Sequence, residues 1–295
     1  MQADNLAHLA AFAAVARHHS FRKASAELAL SPSAVSYAIR SLEERLGVNL
    51  FNRTTRSVSL TAAGQRLLER IQPALRDVGH ALDEMNAFRS TPTGTLRINT
   101  SRASAYLLVA PLVPRFLAAY PDIRLEIVDD DSFVDIVAEG YDVGIRFQEA
   151  VPEDMVAVPI AKAQRFALVG SPAYFARHAI PRHPTDLLGH DCVRHRFPSG
   201  RIYKWEFERD GAKLEIDPPG RVTLGDLHLM TRMALDGVGL TLQLEEHVRD
   251  LVESGRLLRS MEDWCPPFPG FMLYYPRQQR MSSALRAFID MVRET

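Results

Sequence analysis

Leu6, Leu9, Phe12, Ala13 and Ala16 recur at spacings of three and four, which predicts an amphipathic helix. His18-His19-Ser20 ends it, and Ser20 is placed to cap a short second helix through Ala24 and Leu28. A third helix has signals at both ends. Ser31 is a natural N-cap, Pro32 sits at the first helical position, where no N–H is needed, and Gly47 suits the left-handed residue after the last turn. Val35, Ile39, Leu42 and Leu46 share one stripe of this helix. Ser33, Ser36, Tyr37 and Arg40 share the opposite one. Short helix, tight turn and capped helix is the helix-turn-helix layout, whose second helix enters a major groove. From this helix alone, a solvated face on an ordinary bundle fits equally well.

The run Leu50–Leu60 predicts two short strands around Arg53-Thr54-Thr55-Arg56, with Phe51, Val58 and Leu60 turned inward. Arg53, Thr54 and Arg56 then stand at a hairpin tip, as in a wing that touches phosphate or the minor groove. The plain alternative is two exposed arginines on a surface turn. Thr61 is placed to cap a long helix reaching about Arg89. Leu68, Ile71, Leu75, Val78, Leu82 and Met85 alternate steps of three and four, a narrow seam that predicts pairing with a second copy of the helix. Pro73 lies off the seam and predicts a kink. Ser90–Gly94 breaks the helix and marks a domain boundary.

From Thr95 onward, short strands alternate with helices. Strands are expected at Thr95–Thr100, Ile123–Val128, Asp142–Phe147, Val156–Ile160, Phe166–Val169, Leu240–Leu242 and Phe271–Tyr275. Helices are expected at Ala105–Tyr120, Phe133–Glu139, after Ser171-Pro172, from Asp226 to Asp236 and at Ser282–Val292, with a hairpin in Ile202–Ile216. This alternation implies a largely parallel sheet with covered faces.

The chain has 295 residues, about two domains' worth, with 46% hydrophobic and 24% charged residues, which excludes disordered and fibrous classes. Net charge is -1, so a whole-chain polycation is excluded too. The charge is uneven: residues 1–60 hold seven Arg/Lys against four acids, and the remainder is acidic. A basic head on an acidic body suggests that one part meets a polyanion. Cys192 and Cys265 form no CxxC pair, which suits a reducing cytoplasm. No secretory signal or membrane span is expected. His178, His183, His190, Cys192 and His195 fit no ligand spacing, so no metal and no cofactor is expected. No GxSxG, P-loop or GxGxxG stands in the sequence, and no spacing nominates a catalytic triad.

Phe12, Ser20-Phe21, Ala24, Leu28, Ser33-Ala34-Val35-Ser36, Ile39, Leu42-Glu43, Leu46-Gly47, Leu50-Phe51, Arg53 and Leu60-Thr61-Ala62-Ala63-Gly64 together resemble the winged helix-turn-helix of LysR-type transcriptional regulators. The resemblance continues through Asp135-Ile136, Gly140–Arg146, Gly170–Phe175, His190-Asp191-Cys192, Trp205-Glu206-Phe207 and Gly255-Arg256-Leu257. The wing, the stretch Asp154–Ile160 and the tail Pro266–Pro276 are similar to the CrgA/PgrR-like branch of that family. One departure is Pro32, where many members carry Gln.

The resemblance implies an α/β multi-domain chain: a winged helix-turn-helix (1–60), a dimerising linker helix (61–91) and a periplasmic-binding-protein-like effector domain (92–295). The effector domain would have subdomain I at 92–161 and 268–295, subdomain II at 162–267, and a ligand cleft between them. The implied function is a ligand-responsive, sequence-specific regulator in the cytoplasm, not an enzyme. Its partners would be double-stranded DNA, a small effector, further copies of itself as a dimer or tetramer, and RNA polymerase. The DNA candidates are Ser31, Pro32, Ser33, Ser36, Tyr37, Arg40, Arg53, Thr54 and Arg56. A cytosolic solute-binding protein and a cleft enzyme are the rival readings.

Ligands of open α/β sheets sit beyond strand carboxyl ends, near helix N-termini. Three places qualify: Thr100-Ser101-Arg102 with Ser104, Arg146-Phe147, and His195 with Asp226. Family pocket positions favour the Ser101 loop, the loop of Asp130 and Ser132, and Asp226. Ser104 and Asp226 would also serve as plain helix caps. Arg102 and Arg146 suit an anion, whereas Asp129-Asp130-Asp131 would repel one. The expected effector is a small polar metabolite with at least one anionic group.

Overall fold

The structure is a computed structural model describing residues 3–53, 58–86, 92–277 and 281–294. They form two compact units, the first built on the chain up to Pro92 and the second from Thr93 onward.

In the first unit, α1 (Ala3–His18), α2 (Phe21–Glu27) and α3 (Pro32–Leu46) enclose one apolar core. Phe12, Val15, Ala24, Val35 and Ile39 are fully buried in it. Both expected caps form: Ser20 Oγ accepts from Lys23 N at 3.3 Å, and Ser31 Oγ from Ala34 N at 3.1 Å. Gly47 closes α3 at φ 69°, a left-handed value that glycine adopts without strain. Leu46 departs from the expected stripe. It is the last residue of the helix, past the reach of the core, and 45% exposed, while Ala38 is buried.

β1 (Phe51–Arg53) and β2 (Val58–Leu60) pair antiparallel, with Phe51 opposite Leu60. Phe51 packs 5.3 Å from the Phe12 ring, and Val58 and Leu60 cover the same core. Thr54 and Arg56 lie outside the described residues. α4 (Ala62–Asn86) follows, capped by Thr61 Oγ1 accepting from Gly64 N at 3.0 Å. Gly64 is required there, because a Cβ would meet Leu50 O at 2.1 Å. The 25 residues of α4 span roughly 37 Å and run through Pro73 without a break in the helix. The expected end near Arg89 lies outside the described residues. Within the seam, Leu68 and Ile71 pack on the head's own core, whereas Val78 is 42% exposed. The side chains of Leu82 and Met85 are outside the description.

The second unit begins with β3 (Gly94–Thr100). Then come α5 (Arg102–Ser104), a wide π turn over Ala105–Val109, and α6 (Ala110–Ala119). Together they fill the place of the single expected helix. Pro111 and Pro114 lack N–H groups, and a widened turn, in which Ala110 N bonds Ala105 O, absorbs the mismatch. β4 (Ile123–Asp129), β5 (Val143–Phe147) and β6 (Met155–Pro159) follow. The helix expected at Phe133–Glu139 does not form. That stretch ends in a turn closed by Tyr141 N on Ile136 O at 2.8 Å. Only Ile136 is buried there and Phe133 is 82% exposed, too little apolar anchorage for so short a helix.

β7 (Phe166–Gly170), α7 (Pro172–Phe175), β8 (Val193–His195), β9 (Trp205–Arg209) and β10 (Ala212–Ile216) come next. β11 (Val222–Leu224), α8 (Leu227–Leu235), β12 (Thr241–Leu244), α9 (Glu245–Glu253) and β13 (Leu258–Ser260) complete the excursion. β14 (Phe271–Pro276) and α10 (Ser283–Arg293) return to the first sheet. At the crossing, Gln164 and Phe268 exchange backbone hydrogen bonds of 2.9 and 2.8 Å.

The largely parallel sheet of the expectation is a mixed one. The five-stranded order is β4-β3-β5-β14-β6; the first three strands are parallel, and β14, the returning segment, runs antiparallel to both neighbours. In the second sheet, β12 and β13 flank β7, which opposes both. Those two strands are parallel to each other through α9, as a strand-helix-strand unit demands, with β7 inserted between them. β8 and β11 form a parallel pair, and β9–β10 the expected hairpin.

Candidate functional site

The polar face of α3 points out of the head. Ser31, Pro32, Ser33, Tyr37 and Arg40 are exposed, Tyr37 by 70%, and Ser36 is half-buried. The His8 ring meets Tyr37 edge-on at 6.4 Å, and the Ser31 and Ser33 hydroxyls lie 2.9 Å apart. Hydroxyls and a guanidinium on the outer N-terminal half of a capped helix are the donors and acceptors a groove presents complements to.

Arg53 is held back from the wing tip. It donates to Glu43 Oε2 at 2.6 Å, and its guanidinium lies 5.0 Å over the Phe21 ring. Glu43 also accepts from Leu50 N and Phe51 N at 2.8 and 3.3 Å. One carboxylate therefore fastens α3 to the wing. No helical or strand spacing links residue 43 to residues 50–53, so reading the pattern missed it.

In the second unit, the hydroxyls at the end of β3 satisfy one another. Thr100 Oγ1 is 2.5 Å and Ser101 Oγ 2.7 Å from Ser104 Oγ, with Thr100 and Ser104 fully buried. Ser101 is the N-cap, accepting from Ser104 N at 3.2 Å, and remains half-buried. Arg102 N donates to Asp131 Oδ1 at 3.0 Å, and Arg102 Nη1 to Gly225 O at 3.1 Å. Asp130 accepts from Ser132 N at 2.8 Å; that bond, first of all, holds its carboxyl below the usual range.

Arg146 turns inward. It is 6% exposed, and its Nη2 donates to Asn99 Oδ1 at 2.6 Å, Asp130 O at 2.7 Å and Ser132 O at 3.3 Å. Burial pulls its pKa down, against the pull of Tyr274, Asp131 and Asp130 in the other direction. It clamps the loop of Asp130 and Ser132. Phe147 stacks on Phe271 at 4.4 Å. Asp226 caps α8, accepting from Leu229 N at 2.8 Å. The structure thus brings Ser101, Arg102, Asp131, Gly225 and His195 together, since Asp131, Gly225 and Arg102 all act on the His195 charge. Asp131 and Asn99 were the residues not singled out here; the run of three aspartates was the one signal.

Two family models match the chain: "Bacterial regulatory helix-turn-helix protein, lysR family" over residues 6–65 and "LysR substrate binding domain" over residues 89–295. The chain belongs to the LysR family of bacterial transcriptional regulators. It is 47% identical over 289 residues to the uncharacterized HTH-type transcriptional regulator YcaN of Escherichia coli, covering 98% of this chain and 95% of that protein. It is 34% identical over 291 residues to the E. coli regulator PgrR, covering 98% and 97%. Among solved structures, the LysR-type regulator CrgA of Neisseria meningitidis superposes with a TM-score of 0.60 at 29% identity, covering 98% and 97%. LysR proteins of this kind are transcription regulators rather than enzymes; they bind DNA and small effectors and form oligomers.

Several other titratable groups of this LysR chain sit in structural contacts. His178 stacks on Tyr174 at 4.4 Å, His190 Nδ1 is 3.1 Å from the Tyr174 hydroxyl, and His183 caps the turn at Pro184. Burial pushes the Cys192 and Cys265 thiols up to about 12 and about 11, out of thiolate range at neutral pH. His228 and His247 meet the Tyr106 ring at 4.6 and 5.4 Å and each other at 4.7 Å. Burial, then His228, pulls His247 down to about 4. Among the described residues, no helix is long and apolar enough to cross a membrane.

Proposed function

We propose that residues 1–60 read double-stranded DNA by inserting α3 into the major groove, with Ser33, Ser36, Tyr37 and Arg40 toward base edges and Ser31 and Pro32 at the backbone. Residues 61–91 would join two copies through Leu75, Val78 and the seam beyond. Ile71 and Leu68 serve the head instead, since they pack on its core. Residues 92–161 with 268–295 and residues 162–267 form the two halves around an effector. A tetramer, RNA polymerase contact and a cytoplasmic location complete the reading. The exposed polar face of the capped α3 is the observation that carries it.

The effector would meet Ser101, Arg102, His195 and Asp131, with Thr100, Ser104, Asp130, Ser132, Arg146, Phe147 and Asp226 shaping the loops around them. The groove residues and these lie in different units. A small ligand then acts on DNA binding through its differential affinity for two arrangements of the chain.

The test is to sequence the DNA fragments that the protein retains, footprint them, and screen metabolites for a change in the footprint. Arg40→Ala should weaken the retained site about tenfold or more, the worth of one good base contact. Wild-type affinity in a folded Arg40→Ala protein would remove α3 from the groove.

A further inference from the structure

We infer that the effector is a hydroxyaryl compound, a small aromatic ring bearing an O–H group, with the hydroxyl on His195 Nε2 and the ring against a row of half-buried aromatic side chains. This rests on the effector-binding reading above. His195 closes β8, and its Nε2 is buried with no hydrogen-bond partner. Buried polar atoms are nearly always paired, so a lone one inside a binding region marks a missing partner. Burial, first of all, pulls the His195 pKa down, and the ring is neutral at physiological pH. The Gly225 carbonyl faces its other nitrogen and favours the proton there. The tautomer follows from that pairing: Nδ1 carries the hydrogen and Nε2 the lone pair. A lone pair needs a donor, which a hydroxyl supplies and a carboxylate or ether does not.

The rings start at the same residue. Phe197 lies 4.7 Å from His195, Tyr203 5.9 Å from Phe197, and Phe166 6.2 Å from Tyr203. Phe268 lies 5.0 Å from Phe166, and Phe147 5.6 Å from Phe268. All six are half-buried. Edge and offset contacts at such centroid distances are the favoured aromatic geometries, and one more ring extends the row. The row draws on β5, β7, β8 and the returning strand at Phe268, so a ring seated along it would touch both halves of the unit. An aliphatic body of the same size would bury similar area without that gain. Arg201 lies 5.1 Å over the Phe197 ring, and Arg102 bonds Gly225, so a single carboxylate elsewhere on the ligand finds cations nearby. A dianion would meet Asp130 and Asp131.

Three probes of equal charge separate the features: 4-hydroxybenzoate, 4-methoxybenzoate, which lacks the O–H, and 4-hydroxycyclohexanecarboxylate, which lacks the ring. Calorimetric titration of the full chain should show 4-hydroxybenzoate bound at least about tenfold more tightly than either analogue. His195→Phe keeps an aromatic ring without the lone pair and should erase the preference over the methoxy compound. Phe197→Leu keeps apolar volume and should erase the preference over the cyclohexane compound. Equal binding of all three probes by the wild-type chain overturns the inference, as does a preference that survives both substitutions. If none binds at millimolar concentration while another metabolite shifts the DNA footprint, the hydroxyaryl assignment falls and the effector reading stands. If no metabolite shifts the footprint, the effector reading falls with it.

Discussion

Along α3, Tyr37 is 70% exposed and Arg40, Ser31 and Ser33 stand in solvent, whereas Thr100 and Ser104, hydroxyls of the second unit, are fully buried and bonded to each other. The arginines divide the same way. Arg40 faces out; Arg146 is 6% exposed and spends its donors on Asn99, Asp130 and Ser132. On the proposed reading, the shape of the partner explains the difference. DNA is large and offers a groove, so it is read by a convex helix whose polar groups can stay hydrated until contact. A small molecule needs concave walls, and most polar groups in such walls must bond one another before any ligand arrives. Among the described residues, His195 Nε2 is one of the buried polar atoms left unpaired.

Arg146→Ala is the hardest test of this contrast. It strips donors from Asn99 Oδ1 and two loop carbonyls inside the unit, and should cost about 3 kcal/mol of stability in denaturant unfolding. A cost below about 0.5 kcal/mol is the mark of an ordinary surface residue and would place Arg146 beside Arg40 instead.

His247 sharpens the contrast by pH. Its pKa is lowered from 6.5 to about 4 in the folded chain, so the unfolded chain takes up the proton first. This stability is fully present above the unfolded value and is lost as pH falls from 6.5 toward 4. The loss should be of order 2 kcal/mol, after discounting for the partial exposure of the ring. Thermal melts at neutral and mildly acidic pH should separate for the wild-type chain and draw together for His247→Gln. Equal separation in both would clear His247.

Arg53→Ala carries the smallest effect. Glu43 keeps its two backbone donors, so the loss of stability should be about 0.5–1 kcal/mol. The salt dependence of DNA binding decides the rest. A slope left unchanged by Arg53→Ala but reduced by Arg40→Ala puts Arg53 in the fold; a drop of about one in the slope for Arg53→Ala puts it on phosphate.

The head was readable residue by residue because its signals are local. The stripe of Val35, Ile39 and Leu42 and the caps at Ser20, Ser31 and Gly47 each act within a few residues, and the structure repeats them. The second unit was readable as alternating strands and helices, but not in strand direction. The placement of β7 between β12 and β13 depends on which edges meet across the chain. The helix expected at Phe133–Glu139 failed for the same reason: its fate rests on what it packs against, and only Ile136 found a core.

Sequence order was enough to fix the capped, two-faced α3, the long α4 and the lack of any catalytic motif, because helical periodicity and capping are properties of neighbouring residues. It also nominated neighbourhoods that the fold draws together: the end of β3, the aspartate loop and His195. Packing in three dimensions settled which atoms in those neighbourhoods stay unpaired. Arg146 and Arg102 look alike in the chain, yet one meets carbonyls in the interior and the other bonds Asp131 and Gly225. Hydrogen-bond satisfaction is set by distance in space, so the partners of Arg53 at Glu43 and of Arg146 at Asn99 became visible only once the chain was folded.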